Sequence, residues 1–458
     1  MAVTETESAR GPLLAGLIAR AKAWRADRGD RAAAQRMAGA AFLIRVASAG
    51  IIYLTQVLLA RWMGRFEFGI YVYVWSWVGF LGMLAPLGIA YSAQRFIPEY
   101  RTRGDNARLA GFLRGARILC FGLGIAAGAI LAATVWMLEG KISPYYLAPF
   151  LIASLALPIF TVSSAQDAIA RSFDWIALAL VPGFVIQPLI IFFTVGALHL
   201  AGASVTAVAG LIAAVVALWT IVLLQLVLLN RRLGHAVAPT ERRYEVGEWL
   251  ATALPIFLVD SFFVLLTYID ILVLQLYVGP ADIAVYYAAT KTLALISFIY
   301  YAVSSASAHR FSEYYISGEH DKLAAFVADT IRWTFWPSLA LAILMLAAGN
   351  LVLSLFGPGF TDGYPLLCVL AVGLIARASV GPSERLLNMV GEQFTCAAVY
   401  ACAFAANLVL CFVLIPRFGL IGAASATATA ILVESVLLFF AVKLRLGLHV
   451  FVLGGRKA

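Results

Sequence analysis

Six charged residues fall inside stretches that are otherwise continuously apolar: Arg45, Asp260, Asp270, Lys291, Arg377 and Glu434. An ionised side chain at the centre of a bilayer costs about 2.5–3.5 kcal/mol even on insertion scales, so such residues face a wet cavity or one another. A guanidinium stays charged at every relevant pH and grips a phosphate through two parallel hydrogen bonds. Arg45 and Arg377 lie near the middle of their stretches with no acidic residue one helical turn away. They are the candidates for lining a central cavity, and together they point to an anionic, phosphate-bearing ligand. Arg45 and Asp260 fall at one depth in two copies of an internal repeat, which makes them a first pair across the interface between halves. Asp270 and Lys291 stand at comparable distances from the turn at Gly279-Pro280. An ion pair between adjacent antiparallel helices is the simplest reading, and such a pair can lock two helices without touching a ligand. Asp260 and Glu434 could be proton or sodium sites, or counter-ions that weaken anion binding enough for release.

These residues need membrane helices to position them. Apolar residues make up 63% of the 458 and charged ones 12%, against about 45–50% and 25% in a soluble domain. The class is therefore an all-α polytopic membrane protein. A helix needs about 20 residues to cross the hydrocarbon, and twelve stretches are long enough, near 38–60, 68–92, 110–138, 146–168, 176–200, 204–229, 249–278, 283–308, 325–349, 364–387, 394–415 and 418–442. The runs are too continuous for the alternation of an outer-membrane barrel.

Shifted by 215 residues, the chain matches itself without a gap from Arg45–Phe96 to Asp260–Phe311. Tyr53 meets Tyr268, Gly64 meets Gly279, Glu67 meets Asp282, Tyr71 meets Tyr286, and Arg95-Phe96 meets Arg310-Phe311. Tandem membrane units of this kind suit transporters that bind a ligand between two halves. Six spans per half give two pseudo-symmetric six-helix lobes, 38–230 and 249–443, joined by the basic linker 231–248. With the N-terminus inside, 25 of the 33 basic residues fall on the inner side, and only Arg61, Arg65, Lys141 and Arg417 on the outer. The positive-inside rule then makes both termini cytoplasmic. Residues 1–37 read as an interfacial amphipathic helix or a disordered basic tail, and 444–458 as a cytoplasmic tail.

The formal charge of +9 does not imply nucleic acid, because the bases are scattered through short loops that face anionic headgroups. All five cysteines lie in predicted spans without metal-ligand spacing and read as packing residues. No glycine-rich phosphate loop, paired-histidine metal site or serine elbow stands in a credible context, and the loops are too short to hold a soluble domain. No cofactor or metal is expected. A membrane glycosyltransferase or polymerase remains the least favoured alternative, and the chain reads as a non-enzyme.

Leu59 to Tyr71, with Met63-Gly64 and Glu67-Phe68-Gly69-Ile70-Tyr71, resembles the first outer turn of the polysaccharide transporter family, the oligosaccharide-lipid flippases of the MOP superfamily. Leu87-Gly88 before Arg95, Asn388-Met389-Val390-Gly391, Asn407-Leu408, Leu414-Ile415-Pro416-Arg417-Phe418-Gly419 and Gly422-Ala423-Ala424 extend the resemblance in order and spacing. It implies a V-shaped pair of lobes rocking around a cationic cavity. The implied cargo is a polyprenyl-pyrophosphate-linked oligosaccharide, flipped across the bacterial inner membrane for O-antigen, exopolysaccharide or capsule assembly. Polymerase or glycosyltransferase neighbours and H+ or Na+ coupling are implied in the same way, and Gly64, Gly69 and Gly391 would let helix ends approach at gates. The peptidoglycan-precursor flippases of the superfamily typically carry two further spans. Its multidrug exporters, the main alternative, usually place a carboxylate in the first lobe, where this chain has Arg45.

Overall fold

The computed structural model describes residues 30–453, with side chains from Ile44 onward except those of Val259 and Asp260. The N-terminal segment 1–37 therefore lies largely outside the described residues, and so does the side chain of Asp260.

Among the described residues the secondary structure is helical, apart from an isolated bridge between Glu139 and Ile142. The first lobe comprises α1 (Asp30–Leu84), α2 (Ile89–Thr102), α3 (Asn106–Met137), α4 (Leu147–Ser154), α5 (Leu157–Ser172), α6 (Ile176–Val181), α7 (Gln187–Leu200) and α8 (Ala207–Ala236). The second comprises α9 (Val246–Leu274), α10 (Pro280–Ala294), α11 (Ser297–Ile316), α12 (His320–Ala347), α13 (Gly349–Ser354), α14 (Tyr364–Val380), α15 (Ser383–Met389) and α16 (Gln393–Leu446). Among the described residues seven segments are long and apolar enough to cross a membrane unbroken, and three bent pairs raise the number to ten. Two of the ten contain helices of 55 and 54 residues. At 1.5 Å per residue each is roughly 80 Å long, more than twice the hydrocarbon thickness. Each is broken at a glycine in the left-handed region, Gly64 (φ 77°) and Gly419 (φ 55°). Each is long enough for two crossings, which would take the ten to the twelve the sequence predicts.

One face of the molecule carries the connections 103–105, 237–245, 317–319 and 381–392 together with the end of α16, here called the terminal face. The far face carries the breaks at Gly64 and Gly419 and the connections 138–146, 275–279 and 355–363. Burial divides between these faces. A single hydrophobic cluster on the far side runs through both lobes, from Phe68 and Tyr71 of α1 to Tyr286 of α10 and Phe356 and Phe360 beyond α13. Toward the terminal face there are two separate clusters. One is built around Phe96, Phe112 and Ile169 of the first lobe, the other around Phe311, Leu323, Ile331 and Leu387 of the second. Lobes joined by a shared core at one end and packed separately at the other make the V.

The linker is clamped to the first lobe. Arg243 N–H donates to the Ala107 carbonyl at 3.0 Å, and Gly111 lets that backbone approach, since a Cβ there would stand 1.8 Å from the Arg243 oxygen. Trp249 is fully buried in the first lobe's cluster, edge-on to Phe112. Helix α9 then bends by 51° between Val246–Leu258 and Ser261–Leu274. Its first turns belong to one lobe and its later turns pack on α16 of the other.

Candidate substrate cavity

A cavity of about 910 Å³ lies in the terminal half of the molecule. Its walls come from the first half of α9, the start of α11, the end of α14, α15 and the start of α16, with Arg95 of α2 contributed by the first lobe. Opposite it, the lobes seal against each other at the far face. The hydroxyls of Tyr53 and Thr292 lie 3.0 Å apart, and Phe68 packs edge-on to Tyr287 and Phe360. Arg65 Nη1 reaches Asp362 Oδ2 at 3.0 Å, and its Nη2 is 3.9 Å from Asp282. Gly69 makes the approach possible, because a Cβ there would lie 1.7 Å from the Pro280 carbonyl oxygen. Of the three glycines expected at gates, Gly69 is the close approach. A Cβ at Gly64 or Gly391 (φ 90°) would meet nothing within 4 Å, and these two serve as turn residues.

Arg377 lines the cavity. It lies in the last turn of α14 rather than mid-span, because the helix stops at Val380. The stop has a local cause. Gly381 takes φ 57° and its would-be Cβ meets Ile331 at 2.8 Å, and Pro382 follows. The chain restarts as α15, and the break returns Glu384 to within 3.4 Å of Arg377 Nη2. The fully buried Glu434 of α16 stands at 3.4 Å on the same nitrogen. The guanidinium also lies over the Tyr300 ring, 5.0 Å from its centroid, and the Tyr300 hydroxyl donates to Glu384 Oε2 at 3.4 Å. One cation thus holds two carboxylates. Arg377 Nη2 donates a hydrogen bond to Glu384 Oε2, whereas its contact with Glu434 is Coulombic: Arg377 Nε and both Glu434 oxygens lack a partner in hydrogen-bond geometry.

Arg45 stands apart from this cavity in the present conformation. Its guanidinium lies over Phe184, 5.0 Å from the centroid, in the π-helical turn Pro182–Ile186 between α6 and α7. Its expected pairing with Asp260 falls outside the described side chains. The expected ion pair of Asp270 with Lys291 is not formed. Asp270 is buried and takes neutral donors instead: Tyr286 Oη–H at 2.6 Å, Ile271 N–H at 2.8 Å and, at 3.4 Å, the Thr427 hydroxyl of α16. Exposed Lys291 lies over the Tyr287 ring, 4.9 Å from its centroid. Equal depth on two helices does not fix rotation about their axes, and Asp270 points to Tyr286 and α16 rather than to Lys291.

Sequence reasoning missed Arg95, Tyr300, Glu384 and Arg385 as cavity residues. In the sequence both arginines count among the 25 basic residues of the inner side. The signal that could have found Glu384 and Arg385 is Gly381-Pro382, a helix break that begins four residues after Arg377.

Residues 36–314 match the family model described as "Polysaccharide biosynthesis protein", and residues 255–413 match that described as "MatE". Among curated proteins, the chain is similar to the "Probable low-salt glycan biosynthesis flippase Agl15" of Haloferax volcanii, 24% identical over 179 residues, 37% of this chain and 36% of that one. The chain spans about a third of the length of the curated relatives it matches. Two solved structures share the fold. One is an inward-facing multidrug resistance MATE family transporter of the MOP superfamily (TM-score 0.69, 16% identity, 89% of this chain and 94% of that one). The other is the lipid II flippase MurJ in an inward closed conformation (TM-score 0.69, 16% identity, 88% and 87%). With its family match covering more than half of the sequence, and with helices arranged as two lobes in the fold shared with those two structures, the chain belongs to the polysaccharide biosynthesis protein family.

Proposed function

We propose that this transporter flips a polyprenyl-pyrophosphate-linked oligosaccharide, an O-antigen, exopolysaccharide or capsule repeat unit, from the inner to the outer leaflet of the bacterial plasma membrane. The observation that carries the reading is the cavity lining. Three arginines (Arg95, Arg377, Arg385) outnumber the two carboxylates Glu384 and Glu434 around it, which suits a ligand bearing phosphate. The amides of Asn388 and Gln393 and the rings of Tyr300 and Tyr301 suit a sugar. In this reading the terminal face is cytoplasmic, as the basic loops favour. A state closed at the far face and open at the terminal face alternates with its reverse, and the prenyl tail stays in lipid while the headgroup crosses.

A second reading, ion-driven export of an organic cation, draws on the "MatE" match and on the two cavity-side carboxylates. The two separate in liposomes reconstituted with the purified protein. The first expects outward movement of a polyprenyl-pyrophosphate oligosaccharide. Absence of that movement together with gradient-driven export of an organic cation would replace it with the second.

A further inference from the structure

The three cavity arginines are not equally available to a ligand. Arg377 is neutralised from both sides by Glu384 and Glu434, each at 3.4 Å, and capped by the Tyr300 ring. An incoming phosphate would have to displace two carboxylates to reach it. Arg95 is mostly exposed and sits 3.9 Å from Glu99, so part of its charge is already answered on its own helix.

Arg385 differs from both. It lines the cavity, is half-buried, and has no carboxylate partner among the described residues. Its Nε, like that of Arg377, is buried without an acceptor, and a buried donor left unmatched is costly; what sets Arg385 apart is the missing carboxylate. Its position is also fixed. The break at Gly381-Pro382 sets the start of α15, Leu386 and Leu387 bury the far side of that helix in the second lobe's core, and Cys396 Sγ–H donates to the Glu384 carbonyl at 3.6 Å. A rigidly mounted guanidinium with unused donors is built to accept a planar pair of anionic oxygens.

We propose that Arg385, not Arg377, is the phosphate anchor of the cavity, and that the Arg377 bracket positions it. By holding Glu384, Arg377 and Tyr300 keep that carboxylate from turning to its neighbour Arg385, which leaves the latter's charge free for the ligand. Glu384 still places negative charge beside the bound phosphate, so the anion is held loosely enough to leave. The proposal rests on the glycolipid reading above and assigns its pyrophosphate contact to one residue.

The test uses the full chain in nanodiscs of neutral phosphatidylcholine, with geranylgeranyl pyrophosphate as the probe and inorganic pyrophosphate as the lipid-free arm. Wild type binds the probe. Arg385→Gln, shown by its melting profile to be folded, weakens binding by about 10- to 100-fold, the worth of charge-assisted hydrogen bonds. Arg385→Lys recovers part of the loss, because it keeps charge without the planar fork. Arg417→Gln, an exposed far-face change, leaves binding as in wild type. Inorganic pyrophosphate binding follows the same order if phosphate alone is the handle. If Arg385→Gln binds the prenyl probe as tightly as wild type, the anchor is elsewhere and this proposal fails alone. If wild type binds neither probe, the glycolipid reading fails and the proposal with it.

Discussion

Arg65 Nη1 meets Asp362 Oδ2 at 3.0 Å across the far face, joining the first lobe to the second beside the Asp282 carboxylate at 3.9 Å. All three side chains are partly or largely exposed, and an exposed pair is worth about 0.2–1 kcal/mol. Removing it by Asp362→Asn therefore shifts the balance between sealed and open far faces by no more than about fivefold, and the shift shrinks as salt is added. Gly69→Ala acts more strongly, since the new Cβ would lie 1.7 Å from the Pro280 oxygen, a backbone atom that cannot rotate away. Spin labels at the exposed far-face positions Leu200 and Leu276 report the outcome as a distance distribution. Gly69→Ala should populate the longer separation far more than Asp362→Asn does, and an unchanged distribution for Gly69→Ala would remove the far-face seal from the gating cycle.

The bracket around Arg377 predicts an asymmetry between its members. Arg377→Ala leaves Glu434 buried with its cation gone, and breaking a buried pair from one side costs about 3–5 kcal/mol. The lower end applies here, because the Arg377 side chain is 24% exposed and solvent in the cavity screens it. Glu434→Gln removes charge but keeps shape, and Arg377 retains Glu384 at 3.4 Å. The expected stability order in detergent is therefore wild type, then Glu434→Gln, then Arg377→Ala, with the double variant Arg377→Ala/Glu434→Gln above the single Arg377→Ala. A double variant that melts below Arg377→Ala would mean that Glu434 contributes something other than a paired charge.

Much of this architecture is written in the sequence because the bilayer leaves few options. Uninterrupted apolar runs must be helices, and the 215-residue repeat announces two similar lobes before any packing is known. Depth along a helix is legible in the same way for Asp270 and Glu434, both buried, but not for Arg377, which a helix break leaves in the last turn of α14 and half-buried. Rotation about the axis is not, so Asp270 and Lys291 share a depth without sharing a contact. Nor does the repeat fix partners. Glu67 accepts from the Ala207 N–H of its own lobe at 2.7 Å, whereas its counterpart Asp282 faces Arg65 of the other lobe. The same limit hid Arg385: loop arginines on the basic side usually report topology, and only the helix break at Gly381 turns this one into the cavity.

Asp270 carries the last prediction. Its oxygens are occupied by neutral donors, Tyr286 Oη–H at 2.6 Å and Ile271 N–H at 2.8 Å, with Thr427 at 3.4 Å. Glu434, by contrast, already faces Arg377. A buried carboxylate without a salt-bridged cation is open to a proton or a metal cation, and Asp270 touches both α10 and α16, so its charge state can bias how those helices pack. Asp270→Asn keeps an oxygen for Tyr286 and should fold, yet its transport should fall to the rate wild type shows without a gradient and stop responding to an imposed proton or sodium gradient. Glu434→Gln should keep that response even where its overall rate drops. The measurement is liposome transport with and without each gradient. A gradient-responsive Asp270→Asn beside an unresponsive Glu434→Gln would move the coupling site to the Arg377 bracket and leave Asp270 as a polar tie between helices.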